Sequence, residues 1–163
     1  MNEAIRMPQL SDCAVVPPDA WKSMTGLEVM HGIIAGTLPA PPIAGLIGFA
    51  LTEAGEGTAV FVGVPEFRHY NPAGSVHGGY AAVLLDSAMT CAVQSTLEAG
   101  FGCVTLEYKI NMVKAMTADT GPVRAEGKVI HPGKRTATAE GRIIDAKGRL
   151  LAHGTTTCLV FSL

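Results

Sequence analysis

Residues 71–93 read NPAGSVHGGYAAVLLDSAMTCAV, and the rest of the chain has to be arranged around them. Asn71-Pro72 and Gly74 are turn formers. Beyond His77-Gly78-Gly79 the spacing predicts a helix over about 78–97. Asp86 apart, that helix is apolar on every side from Ala81 to Val93, the signature of a helix buried in a core. A bare carboxylate among apolar groups is strongly disfavoured unless it is paired, hydrogen-bonded or facing a wet cleft. Asp86 therefore marks a candidate reactive site. Taken singly, these features have plainer readings. Gly78-Gly79 can be a tight turn into a helix, and Asp86 a structural acid holding a neighbouring loop. The combination of Asn, His-Gly-Gly and a mid-helix Asp on one turn and one buried helix is more specific.

Upstream, residues 1–19 carry little pattern and read as a loose arm that Pro17-Pro18 ends. Asp19 is the expected N-cap of a helix over Ala20–Gly36, with Met24, Leu27, Met30 or His31, and Ile34 on one face. Pro39, Pro41 and Pro42 stop it. Leu46–Leu51 reads as a first strand, 53–57 as a turn, and Thr58–Val64 as a second strand. Downstream of the central helix, Gly100 and Gly102 mark its exit. Four strands are expected over Val104–Met112, Gly121–His131, Arg135–Asp145 and Leu150–Phe161. Pro132-Gly133 and Ala146-Lys147-Gly148 form hairpin turns between them. One long buried helix against successive antiparallel strands is an α+β layer arrangement.

At 163 residues one domain is expected, here divided into an N-terminal arm and helix (1–45) and a main unit (46–163). Apolar residues make up 48%, charged residues 16%, and mean hydropathy is +0.30. So little charge suggests that another subunit covers part of the apolar surface. Net charge is −2 with no Lys/Arg cluster beyond pairs, which leaves nucleic-acid binding without an electrostatic footprint. No apolar run reaches membrane-spanning length, and MNEAIRMPQLSD at the start lacks the apolar stretch of a signal peptide. Cys13, Cys91, Cys103 and Cys158 are scattered, so free thiols and a cytoplasmic location are expected. Five dispersed His and no paired Cys spacing argue against a metal site.

The Asn71, His77-Gly78-Gly79 and Asp86 spacing resembles the hotdog-fold acyl-CoA thioesterases of the phenylacetate-degradation (PaaI-like) type. The similarity extends through TLEYKI (105–110), VIHPGKR (129–135) and DAKGRLLAHGTTTC (145–158), covering roughly residues 46 to 163. The resemblance implies a curved antiparallel sheet wrapped around the central helix. It also implies hydrolysis of an acyl-CoA, with CoA as part of the substrate and no separate cofactor. By position, Asn71 matches the family residue that orients the water or the thioester. His77 matches a supporting hydrogen-bonding residue, and Thr105 a Ser/Thr position that holds the water. Their plainer readings are a turn-fixing His and an ordinary strand Thr.

Thioester hydrolysis needs a polarised carbonyl, an attacking group and a held carrier. The free N–H groups and positive end of the central helix suit the first. Gly78 and Gly79 let a carbonyl approach closely, and Asp86 suits the second as base or nucleophile. Gly78 and Asp86 are eight residues apart, about 12 Å along one helix at ~1.5 Å per residue. One carbonyl cannot touch both, so the site is expected to take Gly78 from one subunit and Asp86 from another. A homodimer or dimer of dimers with sites at the subunit interface follows, and the resemblance implies the same. For the CoA phosphates, the turn His131-Pro132-Gly133-Lys134-Arg135 supplies two cations, with Lys114 as a further candidate. A dehydratase or hydratase using His77 and Asp86, and a non-catalytic acyl-CoA-binding module, are the competing readings. The acyl group stays open.

Overall fold

A computed structural model describes residues 7–163, so residues 1–6 of the expected arm lie outside the described residues. The rest of the arm is packed rather than loose. A 3-10 turn (Leu10–Asp12) lies on helix α3 (Pro42–Ile47), because Gly45 has no side chain to hold the Leu10 backbone away. The Ala14 N–H donates to the Ala40 carbonyl at 3.0 Å.

The helix expected over 20–36 is two helices, α1 (Pro18–Ser23) and α2 (Gly26–Ala35). Asp19 lies inside α1 rather than capping it. Thr25 starts α2 through a capping box, accepting the Glu28 N–H while the Glu28 carboxylate accepts the Thr25 N–H. The break is also a docking point. A Cβ on Gly26 would stand 1.9 Å from the Gln94 carbonyl oxygen, and the Gly26 N–H donates to Leu97. The buried face is accordingly Gly26, Val29, Met30 and Gly32, with Ile34 exposed, because glycine contacts set the phase of α2. His31 is exposed and hydrogen-bonds the Ala54 carbonyl at 3.1 Å. The first strand is also displaced. Pro42 opens α3 at a position where its missing N–H costs nothing, Gly48 ends it at φ 78°, and β1 runs Phe49–Gly55.

Five further strands complete an antiparallel sheet: β2 (Thr58–Gly63), β3 (Phe101–Met112), β4 (Val123–His131), β5 (Thr136–Asp145) and β6 (Leu150–Ser162). Their order is β1-β2-β4-β5-β6-β3, so β1 and β3 are edges. Gly102, expected at the helix exit, is already part of β3. Helix α4 (Gly78–Gln94) lies on one face of the sheet. Gly127 and Gly141 pair across β4 and β5 beneath it. A Cβ on Gly127 would stand 2.1 Å from the Ala88 carbonyl oxygen, so this side-chain-free strip is what lets the helix lie close. Leu84, Leu85 and Met89 are fully buried between helix and sheet, each contributing about 1.5–3 kcal/mol. This is the α+β hotdog arrangement. No helix among the described residues is long and apolar enough to cross a membrane.

The expectation that α4 is buried all round is met on its sheet side alone. The opposite stripe of Ala82, Val83, Asp86, Ser87, Thr90 and Cys91 is half-buried. Beside it, edge strand β3 exposes Val104, Leu106, Tyr108 and Met112, each 45–56% accessible. A long edge strand carrying exposed apolar side chains is a ready template for pairing.

Candidate active site

The start of α4 is held in place by the turn before it. Asn71 Oδ1 accepts the N–H groups of Ala73 (2.9 Å) and Ser75 (3.3 Å), and Asn71 Nδ2 donates to Ser75 Oγ (3.1 Å). Within this chain Asn71 therefore shapes its own turn. The next two residues are clamped by backbone bonds, from Val76 N–H to Met116 and from His77 N–H to His69. His77 is the N-cap of α4, and its Nδ1 accepts the Gly79 N–H at 2.8 Å. Gly79 is thereby satisfied internally, whereas the Gly78 N–H has no partner among the described residues. A Cβ on Gly78 would stand 3.4 Å from Met112 Cε. The result is one free amide at the positive end of a 17-residue helix.

Behind it, Tyr80 packs on His69, with ring centroids 4.5 Å apart. Burial pushes the Tyr80 hydroxyl up and the His69 imidazole down in pKa. Both are held neutral beneath the helix start.

Two turns along, Asp86 is half-buried and well supported. Thr105 Oγ1 donates to Asp86 Oδ1 at 2.7 Å, across the gap from β3 to α4. Thr90, one helical turn beyond Asp86, lies 2.8 Å from Thr105 Oγ1 and 3.4 Å from Asp86 Oδ1. Both hydroxyls converge on Oδ1, and Oδ2 has no partner among the described residues. An anchored carboxylate with one free oxygen can take a proton from water or attack a carbonyl carbon. Cys91 and Cys103 nearby are poor competitors as nucleophiles. Burial, with the Asp86 charge beside it, pushes Cys91 up to about 12. Cys103 is raised by its hydrogen bond to Cys158 and by burial.

The cations are split between the two ends of the sheet. The Arg135 carbonyl accepts the Val160 N–H, and Val160 pairs with Cys103, so His131, Lys134 and Arg135 sit on an exposed hairpin at the Thr105 end. Lys114 is at the other end. It lines a cavity of about 230 Å³ together with Ser75, Gly78, Met112, Met116 and Leu151. One chain thus brings together Asp86 with Thr105, and Gly78 with Lys114, but keeps the two sets apart. No cluster of His, Cys, Asp and Glu able to hold a metal occurs among the described residues.

Two contributors were missed in the sequence. Thr90 was readable in principle from its i+4 spacing to Asp86. Ser75, the partner of Asn71 and a wall of the Gly78 cavity, left no signal beyond its place in a turn.

Comparison with known proteins points to thioesterases. A model of the thioesterase superfamily matches residues 73–152, a span that holds Gly78, Asp86 and Thr105. The chain is 28% identical over 140 residues to the 1,4-dihydroxy-2-naphthoyl-CoA hydrolase of Escherichia coli K12, covering 86% of this chain and 98% of that protein. A phenylacetic acid degradation-related protein from Ralstonia eutropha JMP134 superposes with a TM-score of 0.72 at 26% identity, over 80% of this chain and 98% of the other. A Streptococcus mutans UA159 protein solved with acetyl-CoA gives 0.64 at 25% identity, over 71% and 90%. With its sheet wrapped on α4 and its His-Gly-Gly to Asp86 spacing, the chain belongs to the thioesterase superfamily, as a hotdog-fold thioester hydrolase of the PaaI-like type.

Proposed function

We propose that the chain hydrolyses a small or medium acyl- or aryl-CoA to the free acid and CoA, at sites shared between two subunits of a homodimer or dimer of dimers. The observation that carries this is the pair of complementary half-sites on α4. One is the free Gly78 N–H at the helix start, and the other is Asp86, anchored through one oxygen and free at the second. At about 12 Å apart along the helix, they require a second copy of α4 to act on one carbonyl. The half-buried Asp86 stripe and the exposed apolar edge of β3 lie side by side, and a two-fold partner would cover both.

In the reaction the thioester carbonyl oxygen accepts the Gly78 N–H, and the helix dipole stabilises the charge that develops on it. Asp86, held by Thr105 and Thr90, takes the proton of a water as the water oxygen bonds to the carbonyl carbon. Collapse of the tetrahedral adduct breaks the C–S bond and releases CoA thiolate, which the proton held on Asp86 can neutralise. Direct attack by Asp86 through an anhydride leads to the same products. His77 holds the Gly79 amide and so fixes the helix start, and Asn71 does the same for the turn before it. His131, Lys134 and Arg135 are the proposed contacts for the CoA phosphates. The S. mutans neighbour solved with acetyl-CoA and the naphthoyl-CoA hydrolase support CoA as the carrier. We assign the chemistry to residues 46–163, with α1 and α2 as additions before it. The four free cysteines suit a reducing, cytoplasmic setting.

The test is a panel of acyl-CoAs followed for free thiol and for enoyl absorbance. Thiol release without an enoyl change is expected. An enoyl change instead would assign the site to hydration or dehydration.

A further inference from the structure

Sequence reasoning grouped Lys114 with Lys134 and Arg135 as a phosphate contact, but the fold separates them. Lys114 lines the same cavity of about 230 Å³ as Gly78, the amide assigned to the thioester carbonyl. A thioester sulfur lies at one end of a pantetheine arm and the phosphates at the other. That arm is about as long as four extended residues, roughly 14 Å. A residue beside the reacting carbonyl in so small a cavity is therefore placed to meet the acyl group rather than the phosphates of the same substrate. We infer that this cavity receives the acyl group, and that Lys114 selects acyl groups ending in a carboxylate. The inference rests on the thioesterase reading above and names the substrate class for that site.

The chemistry of the lining carries the rest. Its walls are apolar, with Met112, Met116 and Leu151 prominent, and methionines adapt to irregular shapes. No carboxylate lines the cavity, and Lys114 forms no ion pair among the described residues. Its charge is therefore not committed to another of the described residues. The positive end of α4 adds a field of the same sign at the Gly78 side. A cavity with a cation and a helix start but no acid disfavours cationic acyl groups and favours anionic ones. A mono-thioester of a short dicarboxylic acid such as glutarate fits this description. Its carbonyl would lie on Gly78, its methylenes along Met112 and Met116, and its carboxylate on the Lys114 ammonium.

The experiment uses pantetheine carriers, which have no nucleotide and only a single hydroxyl where CoA continues into its phosphates. Binding of a carboxybutyl-pantetheine thioether, which cannot be hydrolysed, is compared by calorimetry with that of a neutral alkyl thioether of the same length. Wild-type protein and Lys114→Met are used, the exposed position making the variant tolerable to the fold. Wild type should bind the carboxylate compound about tenfold more tightly or better, as a charged hydrogen bond predicts, and Lys114→Met should erase the preference. Equal affinity of wild type for the two compounds would overturn the inference. So would a preference that survives in Lys114→Met. Glutaryl-pantetheine hydrolysis is measured in parallel. Carboxylate-selective binding without thiol release would sink the thioesterase reading and leave the recognition by Lys114 standing.

Discussion

At its start α4 offers a donor. Among the described residues the Gly78 N–H has no partner, and Lys114 but no acid lines the adjoining cavity, where the helix dipole is positive. Two turns later the same helix offers an acceptor. Asp86 supplies a carboxylate that hydroxyls anchor through one oxygen, with the raised thiols of Cys91 and Cys103 nearby. The first region suits a carbonyl oxygen that gains charge. The second suits a proton or a carbon that must be attacked. Each is incomplete alone, and a single helix holds them too far apart to serve one carbonyl. Under the proposed function the two regions divide the labour, and a second copy of the chain would reunite them.

The largest break in this comparison is on the acceptor side. Asp86→Asn keeps shape and volume and removes the basic oxygen. It should lower kcat by about two orders of magnitude or more, with folding and substrate affinity largely kept. A variant as active as wild type in thiol-release assays would remove Asp86 from the mechanism. One that fails to fold would mark it as a structural acid.

A smaller effect is expected from the anchor. Thr105→Val is close to isosteric and leaves Asp86 ionisable, but frees it to reorient. We expect kcat to fall about tenfold with KM little changed, the signature of a residue that acts through another. A change confined to KM would place Thr105 against the substrate instead.

The smallest effect on chemistry belongs to the hairpin. Replacing Lys134 and Arg135 together by Ala should raise KM for acyl-CoA several-fold, leaving kcat and the hydrolysis of pantetheine thioesters unaltered. Equal behaviour of the two substrate types would assign the hairpin tip to solvent.

How much of this was legible in the sequence follows the locality of the forces. The central helix, its His77 start and β3 to β6 were readable because apolar periodicity and turn residues act over a few positions. Thr105 entered the site through resemblance, as a holder of the water; its bond to Asp86 was not legible, since nothing local joins residues nineteen apart in sequence on a helix and a strand. The N-terminal third was misread for a tertiary reason. Gly26 breaks the expected long helix by docking on Gln94, and Pro42 starts a helix where a proline run looked like a stop. The location of Lys114 was equally hidden. It depends on β3 and β6 carrying residues 113–116 back to the helix start, where Val76 bonds Met116 and Val113 bonds Leu151.

The central claim, that each site takes its donor from one chain and its carboxylate from another, has a direct test. Gly78→Pro deletes the one N–H at the first position of α4, where proline is tolerated, and His77 before it already has the extended geometry that proline demands. Gly78→Pro and Asp86→Asn homo-oligomers should each be nearly inactive. Mixed and allowed to exchange subunits, they should recover activity toward about a quarter of wild type. Half the dimers would then be mixed, and each of those holds one site with both an intact Gly78 and an intact Asp86. No recovery, with subunit exchange verified by mass spectrometry, would contradict the account.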